Sequence, residues 1–77
     1  MLNKITDGAI LMRILLMRRA RELHSLTYGD VACLGHTTIA KIFALESGMH
    51  ETVDETNKIL SRLERSLFLR DKKPARV

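Results

Sequence analysis

The strongest constraint on the fold is the hydrophobic periodicity of residues 51–70, ETVDETNKILSRLERSLFLR. Apolar side chains recur there at steps of three and four residues, the spacing of one face of an α-helix. Thr52 and Glu55 have the spacing of a capping box, in which each side chain accepts a hydrogen bond from the backbone amide of the other residue. The pattern predicts a helix whose buried stripe is formed by Val53, Thr56, Ile59, Leu60, Leu63 and Leu67.

The opposite side of this predicted helix is polar and mostly cationic. With successive side chains about 100° apart, the outward positions are those of Asp54, Lys58, Ser61, Arg62 and Arg65. The helix is predicted to end at the β-prone pair Phe68 and Leu69, which leads into a short basic tail.

A second helix is predicted over about residues 8–24, with Thr6 or Asp7 as its N-cap. Its first half is apolar on nearly every side, which is more hydrophobic area than a small domain easily covers. We therefore expect a homodimer in which this helix packs against its symmetry mate, through Ile10, Leu11, Ile14, Leu15 and Met17. The alternative is a central helix that is covered entirely by its own chain.

Two shorter helices are predicted between these long ones. Thr27 and Asp30 repeat the capping-box spacing and predict a helix over residues 28–34, closed by Gly35 in a left-handed conformation. Thr37 or Thr38 starts the next helix, which Ser47 and Gly48 end. Its expected buried residues are Ile39, Ala40, Ile42, Phe43 and Leu45.

Length and composition predict one small helical domain. The chain has 77 residues and only three aromatic side chains, so Leu, Ile and Met must fill the interior, which favours helix packing. The formal net charge is +4, and the basic residues are concentrated toward the two ends of the chain. This net positive charge is compatible with an acidic partner such as nucleic acid.

Nothing in the sequence predicts a membrane segment or a secretory signal. The apolar run over residues 9–17 is broken by Arg13 and is too short to cross a bilayer. The single cysteine, Cys33, fits a reducing compartment and is expected to be a small core residue. We therefore expect a cytoplasmic protein with no membrane partner.

The succession of predicted elements resembles the winged helix-turn-helix superfamily, and within it the MarR-type bacterial regulators. The resemblance is carried by Ile39, Ala40 and Leu45 in the third helix and by Arg62, Leu63, Glu64, Leu67 and Phe68 in the fourth. It implies a helix-turn-helix over about residues 38–67 and a wing over about 68–77. It also implies that Ala40 is the small residue at which the two helices of this motif approach each other closely.

The resemblance makes the fourth helix the predicted reader of the DNA major groove. Asn57 would then pair with adenine and Arg62 with guanine, while Lys58 and Ser61 hold phosphates. The full set of predicted DNA contacts is Thr56, Asn57, Lys58, Ser61, Arg62, Arg65, Arg70, Lys72, Lys73 and Arg76. The alternative is an ordinary solvated helix face followed by a basic terminus.

Catalysis and metal binding have little support in the sequence. His24, His36 and His50 are widely spaced, with no Cys or carboxylate at metal-ligand spacing. No motif places a nucleophile beside an oriented base, and no glycine-rich phosphate loop is present. We expect no enzyme activity, no cofactor and no metal.

Two functions remain after these exclusions. The first is a small dimeric transcription regulator that binds double-stranded DNA with the helix over residues 52–67. The second is a protein-binding adaptor or inhibitor that uses the apolar surface of the first helix. Adsorption of a basic amphipathic helix to a membrane surface is a third, weaker alternative.

Overall fold

The computed structural model describes residues 1–68 and has four helices and one pair of short strands. The elements follow in the order β1 (Asn3–Lys4), α1 (Gly8–Leu23), α2 (Tyr28–Leu34), α3 (Ile39–Glu46), β2 (Met49–His50) and α4 (Val53–Leu67). The prediction of a small, mainly helical domain with about four helices is confirmed. The strands were not predicted.

Each helix begins at a side-chain cap that the sequence indicated. Asp7 Oδ1 accepts from the amides of Ala9 and Ile10 at 2.8 and 3.3 Å, which fixes the start of α1. At α2 the predicted capping box of Thr27 and Asp30 is confirmed, because both reciprocal hydrogen bonds form, at 3.0 and 3.1 Å.

The end of α2 differs from its prediction. Gly35 has φ −88° and is therefore not left-handed, whereas His36 has φ 55°. A glycine fits at position 35 because there is little room for a side chain. A Cβ there would lie 3.3 Å from Ile59 Cγ2 and 3.5 Å from Leu63 Cδ2, so Gly35 lets α2 approach α4 closely.

The predicted burial of α3 is partly wrong. Thr38 caps the helix, and Ile42 and Leu45 are buried as expected. Ile39, Ala40 and Phe43 are exposed instead, because a helix that packs through one side turns these positions away from the core. Ala40 therefore does not lie at the close helix contact that the resemblance implied.

The two strands tie the N-terminus to the connection between α3 and α4. β1 and β2 are antiparallel, with Asn3 opposite His50 and Lys4 opposite Met49. Gly48 enters the connection at φ 87°, a conformation that side chains with a Cβ rarely adopt, and its carbonyl accepts from the Ile5 amide at 2.8 Å.

The core forms where α1 and α4 pack together, with α2 and α3 covering this pair. Every predicted stripe residue of α4 is buried except Val53, which lies in the first turn and is exposed. The side chains that are most completely enclosed are those of Met17, Val31, Ile42, Thr56, Leu60 and Leu63. Among the helices of residues 1–68, none has the length and apolar content needed to cross a membrane.

The close approach at Gly35 gives a first prediction. Gly35→Ala will lower the free energy of unfolding by about 1–2 kcal/mol, because the added methyl group presses on the stiff, buried Ile59. Urea denaturation followed by circular dichroism measures the change. Gly8→Ala is the matched control, since a Cβ at Gly8 meets nothing within 4 Å, and it will leave stability unchanged or slightly raised. Equal stability of the two variants would contradict the packing role of Gly35.

Candidate nucleic-acid interface

The start of α4 is fixed by a cap that is only half of the predicted box. Thr52 Oγ1 accepts from the Glu55 amide at 3.1 Å, as predicted. The prediction that the Thr52 amide donates a hydrogen bond to the Glu55 carboxylate is wrong, because this carboxylate accepts from the Lys41 ammonium of α3 instead. α4 therefore begins against α3, with its outer side free.

Thr56 was predicted to contact DNA, but its side chain is buried. Its side chain is 1% exposed, and its hydroxyl donates to the Thr52 carbonyl oxygen at 2.9 Å. The same hydroxyl is hydrogen-bonded to His50 Nδ1 at 3.0 Å. The prediction that Thr56 contacts DNA is wrong, since this hydrogen-bond chain holds it inside the fold.

The remaining predicted contacts on α4 lie together. They line an open, shallow depression of about 300 Å³ on the outer side of the helix. We call this surface the cationic face, and it consists of Asn57, Lys58, Ser61, Arg62 and Arg65. Asp54 is exposed in the first turn of the same helix. A carboxylate at this position is stabilised by the helix dipole, but it repels a phosphate group.

Acidic residues beside the cationic face are neutralised by other helices. Glu64 receives a two-pronged hydrogen bond from Arg13 of α1, with Nε to Oε2 at 2.7 Å and Nη2 to Oε1 at 3.0 Å. Glu55 is paired with Lys41. These hydrogen bonds raise the pKa of the Arg13 guanidinium and of the Lys41 ammonium above their ordinary values.

The cations of the cationic face itself have no such partners in the described part of the chain. Within residues 1–68, no salt bridge involves Lys58, Arg62 or Arg65. Arg62 donates one hydrogen bond from Nη1 to the Gly35 carbonyl oxygen at 3.2 Å, which anchors the side chain beside α2. The face therefore presents three positive charges, and of the nearby acidic residues Glu55 and Glu64 are paired with other helices, whereas Asp54 forms no salt bridge within residues 1–68.

Arg13 belongs to this site, although it was not a predicted site residue. Besides holding Glu64, it donates from Nη1 to Asn57 Oδ1 at 2.9 Å. Its position within an apolar run is a signal of an ion pair at the edge of the core, because a partly buried charge there is stabilised by a partner. The sequence gives no indication of which carboxylate that partner is.

The predicted wing and its basic residues fall on the last part of the chain. Arg70, Lys72, Lys73 and Arg76 lie outside the described residues, as do residues 69–77 of the predicted wing. By sequence, residues 1–68 hold nine basic and eight acidic side chains, whereas residues 69–77 hold four basic and one acidic. Most of the net positive charge therefore follows α4 directly in the chain.

The predicted dimer surface on α1 is divided by the fold. Ile10, Ile14 and Met17 are buried against the protein's own core, so their assignment to a dimer contact is wrong. They face α4 because they lie on the inner side of the helix. The other side of α1 remains apolar and solvent-exposed. We call it the outer face of α1, and it consists of Leu11, Met12, Leu15 and Leu16.

A second polar cluster holds α1 against α3. Arg21 donates to both carboxylate oxygens of Glu46, at 2.8 and 3.0 Å, and its guanidinium carbon lies 4.5 Å from the centre of the Tyr28 ring. Tyr28 meets Phe43 edge to face, with ring centroids 5.8 Å apart. Every charged group in this cluster has a partner, which favours a structural role.

The other candidates from the sequence do not assemble into a site. Cys33 is exposed, so its predicted place in the core is wrong. In the described residues, no three His, Cys, Asp or Glu side chains are arranged to hold a metal ion.

Comparisons of the chain with protein-family models, with curated proteins and with solved structures find no match.

Two of the arginine ion pairs of α1 differ in their exposure to solvent and give a second prediction. Arg13 and Glu64 have side chains 30% and 31% exposed, whereas Arg18 and Glu22 are 52% and 55% exposed. A double-mutant cycle with Arg13→Ala and Glu64→Ala will give a coupling free energy of about 1 kcal/mol. The matched cycle with Arg18→Ala and Glu22→Ala will give about 0.3–0.5 kcal/mol. Urea denaturation measures both, and equal couplings would contradict the tighter pairing of Arg13.

Proposed function

We propose that this protein is a small DNA-binding regulator of the winged helix-turn-helix type that contacts double-stranded DNA through the cationic face of α4. The observation that carries the proposal is the separation of charge on this helix. Lys58, Arg62 and Arg65 point outward without acidic partners within residues 1–68, while Glu55 and Glu64 are neutralised from α3 and α1. Such a surface attracts phosphate, and its affinity falls as salt rises.

In the proposed helix-turn-helix the two helices are α3 and α4, which are joined by residues 47–52 through Gly48 and β2. α3 itself is a poor partner for DNA, since its outward residues are Ile39, Ala40 and Phe43, and its one cation, Lys41, is paired with Glu55. The polar and cationic surface is on α4, which favours α4 as the helix that meets the duplex.

We further propose that the outer face of α1 forms a homodimer. The four side chains that define it are spaced so that they fall in two adjacent turns on one side of the helix. Isologous packing of two such faces removes apolar surface from water in both copies. A dimer presents two copies of the cationic face, which fits two DNA half-sites about one helical turn apart.

The same apolar surface favours a protein-binding adaptor as the second candidate function. In that case the outer face of α1 is covered by a different protein and the cationic face has no duplex to bind. Light scattering and DNA binding at low salt separate the two. A monomer that binds no DNA supports the adaptor.

Charge removal on α4 gives a third prediction. Lys58→Gln with Arg65→Gln will weaken binding to a duplex about tenfold or more at moderate salt, because two phosphate contacts are lost. The slope of log affinity against log salt will also fall by about 2 in magnitude. Fluorescence anisotropy across a salt series measures both quantities.

Arg18→Gln with Arg19→Gln is the matched control for this variant, since it removes the same charge from exposed positions on α1. It will leave the affinity within about twofold of the wild type, because neither arginine lines the cationic face. A variant truncated after residue 68 separates the contribution of the basic tail to DNA binding from that of α4. Complete loss of binding in that chain, with full binding by the Lys58 and Arg65 variant, would contradict the role assigned to α4.

The outer face of α1 gives a fourth prediction. Leu11→Gln with Leu15→Gln will convert the dimer to a monomer in sedimentation equilibrium, because amides at these positions stay hydrated. The thermal midpoint of the monomer fold will change little, since both residues lie outside the core. Ile39→Gln, at an exposed apolar position on α3, will leave the dimer intact. A wild-type chain that is monomeric at all concentrations would exclude self-association.

A further inference from the structure

The outer face of α1 continues beyond its four apolar residues at both ends. Gly8 lies one turn before Leu11, and Arg19 lies one turn after Leu16. Because Gly8 and Arg19 are eleven positions apart, close to three full turns, they lie on the same side of the helix as the apolar residues. Both are exposed, and a Cβ at Gly8 would meet nothing within 4 Å. The face therefore has open space at one end and a long cation at the other.

The two ends of the outer face also carry opposite charges. Asp7 lies at the N-terminal end, where its Oδ1 caps α1 through the amides of Ala9 and Ile10 and its Oδ2 receives neither of these hydrogen bonds. Within residues 1–68, neither Asp7 nor Arg19 takes part in a salt bridge. The two residues of one chain cannot meet, because twelve residues of helix separate them by about 18 Å.

These features are arranged symmetrically about the middle of the face. The four apolar residues are centred midway between Leu11 and Leu16, and Gly8 and Arg19 are equally distant from that point. If two copies lie antiparallel about it, Leu11 faces the partner's Leu16 and Arg19 faces the partner's Gly8, next to the partner's Asp7. If they lie parallel, Arg19 faces a second Arg19, and like charges repel. Only the antiparallel pair matches both size and charge.

We propose that two copies of this protein pack antiparallel through the outer faces of α1, with Arg19 of each copy lying across the partner's Gly8 and forming an ion pair with the partner's Asp7. This inference rests on the dimer in the proposed function. Burial of the apolar residues stabilises the contact, whereas the two symmetric ion pairs are exposed and mainly fix its orientation.

The first test exchanges the charges at the two positions and measures the dimer by sedimentation equilibrium. Asp7→Asn removes a charge and keeps a good N-cap residue, and it will weaken the wild-type dimer about two- to threefold. Arg19→Glu places a carboxylate against the partner's Asp7 and will weaken the dimer about tenfold or more. In that variant Asp7→Asn will strengthen the dimer, because it removes the repulsion. A reversal of sign requires that the two residues meet across the dimer.

Arg18→Glu is the matched control for the charge exchange. It makes the same charge change one residue earlier, about 100° around the helix from Arg19 and at the side of the outer face. In this variant Asp7→Asn will weaken the dimer, as it does in the wild type. Weakening by Asp7→Asn in the Arg19→Glu variant as well would overturn the ion pair.

The second test measures the orientation of the two helices without altering Asp7 or Arg19. Cys33→Ser removes the exposed native cysteine, and Leu23→Cys provides one exposed site for a spin label at the C-terminal end of α1. In the antiparallel dimer the two labels will lie about 30 Å apart in pulsed electron paramagnetic resonance, since each is more than two turns beyond the centre of the face. In a parallel dimer they will lie within about 15 Å, the separation of two packed helices plus the label arms.

The outcomes distinguish this inference from the proposed function. A dimer with the short label distance overturns the antiparallel orientation and leaves the DNA-binding dimer standing. A dimer with the long distance and no reversal of sign keeps the orientation and overturns the ion pair of Asp7 and Arg19. A wild-type chain that is monomeric at all concentrations overturns the dimer itself and supports a different protein as the partner of the outer face.

Discussion

The packing of α1 against α4 is the interaction on which the rest of the structure depends. Met17, Leu60 and Leu63 lose all solvent exposure in the core that these helices share. α2 and α3 have only seven and eight residues, too few to be stable alone, so they depend on the surface that the long pair provides. The same packing turns the cationic face of α4 outward and brings Arg13 to its edge.

Features of the fold that depend on local chemistry could be predicted from the sequence. A cap such as Thr27 acts within one turn of its own helix, so residue spacing is enough to identify it. The burial of α3 could not be predicted as well, because the side of a short apolar helix that meets the core is decided by its neighbours. Phe43 is exposed for this reason. The pairing of Asn3 with His50 joins residues far apart in the chain, and two-residue strands leave no recognisable pattern.

The candidate site likewise has features that follow from local sequence and features that depend on distant residues. The outward positions of Lys58, Ser61 and Arg65 follow from helical periodicity alone and were predicted. Thr56 was placed on the wrong surface because a threonine suits both a buried stripe and a DNA contact, and its hydrogen bond with His50 decides between them. The part played by Arg13 depends on partners 44 and 51 residues later in the sequence, which no local pattern reveals.

The contact between the two ends of the described chain affects the order in which this protein can fold during synthesis. β1 pairs with β2, and the inner side of α1 packs on α4, so β1 lacks its strand partner until β2 has been made and α1 lacks its main partner until α4 has been made. Until then, both apolar sides of α1 stay uncovered. Such an intermediate is exposed to aggregation and to capture by chaperones that bind hydrophobic segments. The nascent chain thus carries its greatest risk before α4 has been translated.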